Sequence, residues 1–191
     1  MIPTRILLNA YRKGYFPMSV AGTIEWYSPE QRGVVPLDEF RIPKRLQRAL
    51  KQGLFETTVN RSFRDVITAC ANRHDPAGNW IDGTILESYV ALHEIGYAHS
   101  IETWHDNVLV GGLYGVSLCG AFFGESMFHT MPDASKFALV ALVTRLRQQN
   151  YQLLDIQWLT PHLAQFGAVE MPRSHYLKSL SDAMTCDCRF L

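Results

Sequence analysis

The chain has 191 residues, of which 47% are apolar, and it carries 18 basic and 18 acidic side chains. This size and composition are typical of one globular domain, or of one domain with a small appendage, and they exclude a largely disordered chain. Zero net charge excludes nucleic-acid binding by the whole surface. However, residues 1–51 contain nine Lys or Arg and four Asp or Glu, which allows a local basic face.

Targeting and redox features favour a cytoplasmic protein. No apolar run approaches the roughly 18 residues of a membrane span, and charged residues interrupt the short apolar stretch at the N-terminus, which makes it a poor signal peptide. The four cysteines lack the spacing of a disulfide framework or a zinc site. We therefore expect free thiols and no bound metal at Cys70, Cys119, Cys186 and Cys188.

The first half of the chain is predicted to be mainly helical. Capping residues, prolines and glycines delimit amphipathic segments. Helices are predicted from Thr4 to about Lys13, from Pro43 to about Lys51, from Ser62 through Cys70, and from Thr84 to Ile95. A strand is predicted over 56–60. The stretch 15–36, rich in aromatic residues and prolines, is predicted to be irregular.

The second half is predicted to begin with three antiparallel strands. These cover 99–104, 107–118 and 120–128, with turns at Asp106-Asn107 and Cys119-Gly120. Asp133 is expected to cap a long helix to about Gln149, and the remaining elements are a strand over 153–157, a short helix over 161–166, a strand over 168–171 and a helix over 174–184. This order predicts an α+β fold with a mixed sheet covered by helices.

Polar residues end two of these apolar strands, as is usual at the rim of a small-ligand pocket. Glu125 and Ser126 follow the run from Leu109, and Asp155 and Gln157 alternate on the strand 153–157. Because side chains of a strand alternate between its two faces, Asp155 and Gln157 are expected to share one face.

These motifs resemble one family, the bacterial leucyl/phenylalanyl-tRNA protein transferases. The matching segments run nearly end to end and in the family's order: residues 10–17 (AYRKGYFP), 26–29 (WYSP) with Arg32, 79–81 (NWI), 92–94, 96–102, 109–115, 124–128 (GESMF), 134–136 (ASK) and 155–157 (DIQ).

The resemblance implies transfer of Leu or Phe from a charged tRNA to the α-amino group of a protein that begins with Arg or Lys, which marks that protein for degradation. It also implies a small N-terminal α/β domain, residues 1–61, and a catalytic domain, residues 62–191, similar to the acyl-CoA N-acyltransferases. Relatives commonly have a further segment before the Ala10-Tyr11 helix, so the N-terminal domain is expected to be shortened. They often have a tryptophan where this chain has Met18.

Aminoacyl transfer needs an attacking amine, a stabilised oxyanion and a route for a proton, but the ester is already activated and needs no protein nucleophile. The resemblance assigns catalysis to Asp155, Gln157 and Glu125. Asp155 would hold or deprotonate the amine, Gln157 would orient it, and Glu125 would bring negative charge to a cationic substrate. Proton transfer through the tRNA ribose is equally compatible, so the choice between a basic and a positioning role for Asp155 stays open.

The resemblance also implies three binding surfaces. An apolar slot for the transferred side chain, with Ser126 at its rim, would consist of Leu113, Phe122, Met127, Leu139, Leu142 and Leu154. Trp80, Tyr11 and Tyr89 would bind the terminal adenosine, in part by stacking, with Met18 nearby. Lys44, Arg48 and Lys51 recur on one helix face with Arg45 alongside, and this basic stripe is predicted to contact the tRNA backbone.

Two other functions remain as alternatives. One is an acyltransferase of the same fold that uses another donor, such as acyl-CoA, although no glycine-rich loop suited to a pyrophosphate is present. The other is an inactive tRNA-binding module. We expect a monomeric enzyme without a cofactor or a membrane association.

Overall fold

The computed structural model describes residues 1–73 and 79–191, and the elements that were predicted follow one another in the predicted order. The first part comprises α1 (Thr4–Arg12), β1 (Phe16–Val20), β2 (Thr23–Tyr27), β3 (Gln31–Val35), α2 (Lys44–Gln52), β4 (Glu56–Val59), α3 (Phe63–Ala71) and α4 (Gly83–Glu94). The second part comprises β5 (Ala98–His105), β6 (Val108–Leu118), β7 (Ala121–His129), α5 (Ala134–Gln148), β8 (Leu153–Gln157), α6 (Pro161–Ala164), β9 (Val169–Pro172) and α7 (Arg173–Ala183).

The predicted helices and strands are confirmed to within a few residues, but the prediction of an irregular stretch over 15–36 is wrong. It contains three strands. β1 and β2 form a hairpin whose turn residues, Ala21 and Gly22, have φ of 50° and 80°, as a tight hairpin turn requires. β3 pairs with β8 and β9, roughly 120 to 140 residues later in the chain, and local patterning does not reveal such distant partners.

Seven strands form one mixed sheet in the order β4-β5-β6-β7-β8-β3-β9. Within the described residues, β7 and β8 are its single parallel pair. β3 and β4 precede the predicted domain boundary at residue 61, but both strands pair with strands that follow it. The 1–61 and 62–191 ranges therefore share one sheet.

Helices cover both faces of the sheet, which confirms the predicted α+β class. α1, α3, α4 and α7 pack on one face through a buried cluster that includes Leu7, Ile67, Tyr89 and Leu180. α5 and the single buried residue of α2, Leu46, pack on the other face. The sheet is thus the middle layer, and side chains of one strand alternate between two cores.

Two local predictions have specific outcomes. All four cysteines have free thiols, as predicted. Asp133 does precede α5, but it has φ of 69° and makes no side-chain cap; its Oδ1 instead accepts a hydrogen bond from Lys136 Nζ at 2.6 Å.

Over the ranges 1–73 and 79–191, none of the helices combines the length and apolar character needed to cross a membrane.

Candidate active site

The sheet opens where its two parallel strands part. β7 and β8 pair from Ala121 with Leu153 to Phe123 with Asp155, and beyond these residues each strand continues without the other. β7 runs on to His129, whereas β8 ends at Gln157. Glu125 of β7 and Gln157 of β8 both follow the last pair, in the gap where the two strands are no longer paired.

Glu125 lies at this gap on a β-bulge. In the pairing of β6 with β7, Gly115 is opposite Gly124 and Tyr114 is opposite Ser126, so Glu125 is the additional residue without a partner. A bulge redirects the side chain of the extra residue and often occurs beside active sites. The bulge accounts for the direction of the Glu125 side chain, and the sequence pattern alone did not predict it.

Three side chains hold the Glu125 carboxyl group. Tyr11 donates its hydroxyl to Oε1 at 2.7 Å, Tyr89 donates to Oε2 at 3.1 Å, and Gln157 Nε2 lies 3.2 Å from Oε1. The two tyrosine hydroxyls also hydrogen-bond to each other. Burial raises the pKa of the Glu125 carboxyl to about 8, even though the bonds from the tyrosines act to lower it. Glu125 is thus largely protonated at neutral pH and titrates close to it.

Asp155 lies behind this group and is fully buried. Arg32 Nε and Nη2 donate to its two carboxylate oxygens at 2.9 and 2.7 Å, and Tyr176 donates its hydroxyl at 2.7 Å. The backbone N–H of Gln157 donates to Oδ1 at 2.9 Å. Both oxygens are therefore occupied by protein donors. This differs from the expectation that Asp155 contacts the incoming amine directly.

Arg32 and Tyr176 are site residues that the sequence did not identify. The Arg32 guanidinium is buried, stacks 4.7 Å from the Phe16 ring centroid and 4.5 Å from that of Tyr176, and donates to the Gly14 carbonyl at 3.1 Å. Burial lowers its pKa, but the Asp155 carboxylate raises it, and the net effect is a rise. Arg32 was matched to the family together with the nearby Trp-Tyr-Ser-Pro segment, which was a signal, whereas nothing in the sequence distinguished Tyr176.

A strained turn places Gln157. Trp158 N–H donates to the Ile156 carbonyl at 2.7 Å across Gln157, whose φ is 59°, as in a γ-turn. The turn needs room at Gly33 of β3, where a Cβ atom would come within 2.6 Å of the Trp158 carbonyl carbon. Strained residues of this kind cluster at functional sites. The predicted shared face is consistent with the structure, because Asp155 and Gln157 both lie on the side of the sheet that faces α1.

The residues predicted to form the apolar slot lie together in the core beneath α5. Five are buried, Met127 is partly buried, and the whole set is Leu113, Phe122, Met127, Leu139, Leu142 and Leu154. A surface cavity of about 410 Å³ lies elsewhere, between α2, β4, β5 and α5. The six side chains do not line it. The structure therefore brings the predicted slot residues together as packed core.

The residues predicted to bind adenosine have different environments. The rings of Tyr11 and Tyr89 are fully buried, so only their hydroxyls reach the site. Trp80 and Met18 are partly buried on the same side of the sheet, with the Trp80 carbonyl accepting from Ser19 N–H at 3.1 Å. Ser126, next to Glu125, is partly exposed.

The predicted basic stripe is a solvent-exposed face of α2. Lys44, Arg45, Arg48 and Lys51 are all exposed, and Leu46 points into the core on the other side. Arg45 lies 3.8 Å from an Asp133 carboxylate oxygen. The geometry is that of a surface able to meet a phosphate backbone, separate from the gap between β7 and β8.

Comparison with known proteins identifies the family. Two models match: leucyl/phenylalanyl-tRNA protein transferase over residues 34–181, and the N-terminal domain of the same protein over residues 2–30. The leucyl/phenylalanyl-tRNA–protein transferase of Akkermansia muciniphila is 50% identical over 182 residues, which cover 94% of both chains. That of Herpetosiphon aurantiacus is 47% identical over 187 residues, covering 97% of this chain and 96% of the relative.

The chain belongs to the leucyl/phenylalanyl-tRNA protein transferase family. The recognition made from the sequence motifs is thereby confirmed, and the network around Glu125 and Asp155 is a feature of a member of this family.

A more distant solved structure shares the fold. The C-terminal domain of a protein described as a lysylphosphatidylglycerol synthetase from Agrobacterium fabrum covers 95% of this chain, with 69% of its own chain covered, a TM-score of 0.51 and 13% identity. At this identity the likeness shows the fold alone. It agrees with the mixed sheet covered by helices that the sequence predicted.

Proposed function

We propose that this protein transfers Leu or Phe from a charged tRNA to the α-amino group of proteins that begin with Arg or Lys. Membership in the family makes it an aminoacyltransferase that depends on aminoacyl-tRNA. The preference for Arg or Lys, the marking of the product for degradation, a cytoplasmic location and a monomeric state belong to the proposal. The observation that carries it is the polar cluster of Glu125 and Gln157 in the gap between β7 and β8.

Glu125 is suited, in its ionised form, to take up the proton of the attacking amine, and at neutral pH its raised pKa leaves a minority of the molecules in that form. A general base works best when its pKa is near the operating pH, and a peptide α-amino group titrates at about 7.7 to 8.0. The Glu125 pKa of about 8 matches that range. As the C–N bond forms and the ester C–O bond breaks, the amine proton passes to Glu125 and a proton returns to the departing ribose oxygen. Tyr11 and Tyr89 fix both carboxyl oxygens for this exchange.

Asp155 acts in this scheme as a positioning residue. Its Oδ1 holds the backbone N–H of Gln157, and its ion pair with Arg32 fixes β8 against β3. The Gln157 amide then reaches Glu125 and can orient the amine or the ester carbonyl. Of the two roles that the sequence left open for Asp155, its buried carboxylate favours positioning over proton abstraction.

The remaining predicted residues supply binding. For the transferred side chain to enter the apolar slot, the core under α5 has to open; Met127 is its one partly exposed member and is flexible enough to move aside. Trp80 and Met18 are the accessible candidates for the adenosine, and the α2 stripe is the candidate for the tRNA backbone. Its four cations favour phosphate contact.

Label transfer tests the proposal. The protein is incubated with Leu-tRNA carrying labelled leucine and a peptide that begins with Arg, and the labelled peptide is measured. Transfer is expected to this peptide and not to the same peptide with an acetylated N-terminus. Turnover of acetyl-CoA without transfer from tRNA would favour an acyl-CoA-dependent enzyme. Tight tRNA binding without transfer would favour an inactive binding module.

A pair of isosteric variants tests the role of Glu125. Glu125→Gln is expected to lower kcat by about 10²- to 10⁴-fold, the usual contribution of acid–base catalysis. Glu87→Gln, an exposed residue of α4 that pairs with Arg64, is the matched control and should keep normal kcat. If Glu125→Gln retains nearly full kcat, proton uptake by this residue is excluded.

A further inference from the structure

An aromatic surface lies beside the active site. Trp158 follows Gln157 directly and is 40% exposed. Its ring lies 5.0 Å from the Phe16 ring and 6.0 Å from the Tyr27 ring, centroid to centroid, and is steeply inclined to both. These three rings, which we call the aromatic wall, extend from the buried Phe16 to the exposed Trp158. The γ-turn at Gln157 is what projects Trp158 outwards.

A carboxylate stands at the outer edge of the aromatic wall. Glu25 is exposed, and its Oε2 accepts the Tyr27 hydroxyl at 2.6 Å. Residues 25 and 27 alternate with Trp26 on β2, so they share one hairpin face and Trp26 belongs to the other. The wall therefore offers an exposed ring and a carboxylate together, adjacent to the residue that orients the amine.

The protein already holds one of its own guanidinium groups between an aromatic ring and a carboxylate. On the inner side of the wall, Arg32 stacks on Phe16 and pairs with the Asp155 carboxylate. Because Arg32 and Asp155 neutralise each other, they add little net charge that would repel a second cation on the outer side. Arginine and lysine bind favourably to the face of tryptophan, and a carboxylate adds charge complementarity.

We propose that the aromatic wall, through Trp158 and Tyr27 with Glu25, is the subsite for the cationic side chain of the acceptor's first residue. This rests on the proposed transferase function and deepens it. The first residue carries both the reacting α-amine, placed at Gln157 and Glu125, and the side chain, which then extends over the neighbouring Trp158. Selection of Arg or Lys arises from a ring and a single carboxylate at the mouth of the active site.

Steady-state kinetics with a peptide series tests this subsite. The peptides begin with Arg, Lys or citrulline, which has nearly the shape of arginine without its charge, and Leu-tRNA is kept saturating. Trp158→Ala is expected to lower kcat/KM for the Arg peptide by about 3- to 30-fold, the range of a cation–π contact, and to affect the citrulline peptide much less. Trp158→Phe should restore part of the loss. Glu25→Gln should likewise reduce the difference in kcat/KM between the Arg peptide and the citrulline peptide.

The matched control is Trp26→Ala. Trp26 is 38% exposed, almost as much as Trp158, but lies on the opposite face of the hairpin. The Trp26→Ala variant should therefore leave the ratio of kcat/KM for the Arg and citrulline peptides unchanged. A normal KM for Leu-tRNA in Trp158→Ala would show that the ring acts on the peptide.

Three results would overturn the inference. Equal losses for the Arg and citrulline peptides would mean that Trp158 has no role in selecting charge. A raised KM for Leu-tRNA with unchanged peptide kinetics would show that the ring stacks on a nucleotide. Discrimination that persists in both Trp158→Ala and Glu25→Gln would place the subsite elsewhere. Wild-type protein that is inert with every peptide would instead refute the transferase function itself.

Discussion

Breaking the buried ion pair between Arg32 and Asp155 should destabilise the protein strongly. Asp155→Asn leaves a guanidinium that is 1% exposed without its counter-charge. Removal of one partner from a buried pair typically costs about 3 to 5 kcal/mol, a large part of the roughly 5 to 15 kcal/mol that stabilises a folded domain. Arg32→Met should cost less than Asp155→Asn, because Tyr176 and the Gln157 N–H still donate to the carboxylate, which can also accept a proton.

The double variant Arg32→Met/Asp155→Asn isolates the interaction. With both charges removed, the loss should be smaller than the sum of the single losses by about 2 to 3 kcal/mol, as expected for directly coupled residues. Urea unfolding, monitored by circular dichroism over a series of urea concentrations, gives the free energy of unfolding of each single variant and of the double variant. Similar slopes against urea concentration would show that the variants unfold from comparable native states.

A surface ion pair that is also bidentate is the control. Arg64 donates to both carboxylate oxygens of Glu87 at 2.7 and 3.0 Å, but the two side chains are 55% and 45% exposed. Exposed pairs contribute about 0 to 1 kcal/mol, so Glu87→Gln should be nearly neutral. The reasoning is refuted if Asp155→Asn costs no more than this control, or if the double variant costs the full sum of the single ones.

Two further predictions concern charge. The Glu125 pKa is raised from 4.5 to about 8 on folding, so the folded state holds this proton more tightly than the unfolded state. The protonated Glu125 therefore contributes to the free energy of unfolding. This contribution is fully present below pH 4.5 and is lost as the pH rises through 8, and the whole loss is at most about 5 kcal/mol. Urea unfolding at several pH values should therefore show Glu125→Gln gaining stability relative to wild type across that window; a constant difference would contradict the raised pKa. Replacing Lys44, Arg48 and Lys51 with Ala should weaken tRNA binding and reduce its salt dependence, measured by filter binding, whereas Lys178→Ala on α7 should not. An unchanged salt slope would show that the stripe does not meet the phosphates.

Much of the fold was readable from local patterns. Caps, glycine stops and apolar periodicity identified the helices, and the Asp106-Asn107 turn, with φ of 48° and 61°, was predicted from its residue types. The hairpin and β3 were missed. Their segment is rich in proline and aromatic residues, which suggests a loop, and its strands are stabilised by partners far along the chain. Local propensity does not report such tertiary pairing.

For the candidate site, the sequence by itself determined the family, the side chains at the strand ends and the shared face of Asp155 and Gln157. Tertiary structure alone decided what each can do. It buried Asp155 against Arg32 and Tyr176, and it placed Glu125 on a bulge with a pKa of about 8. A strand's periodicity fixes the direction of a side chain, but its protonation and access depend on residues that only folding brings near it.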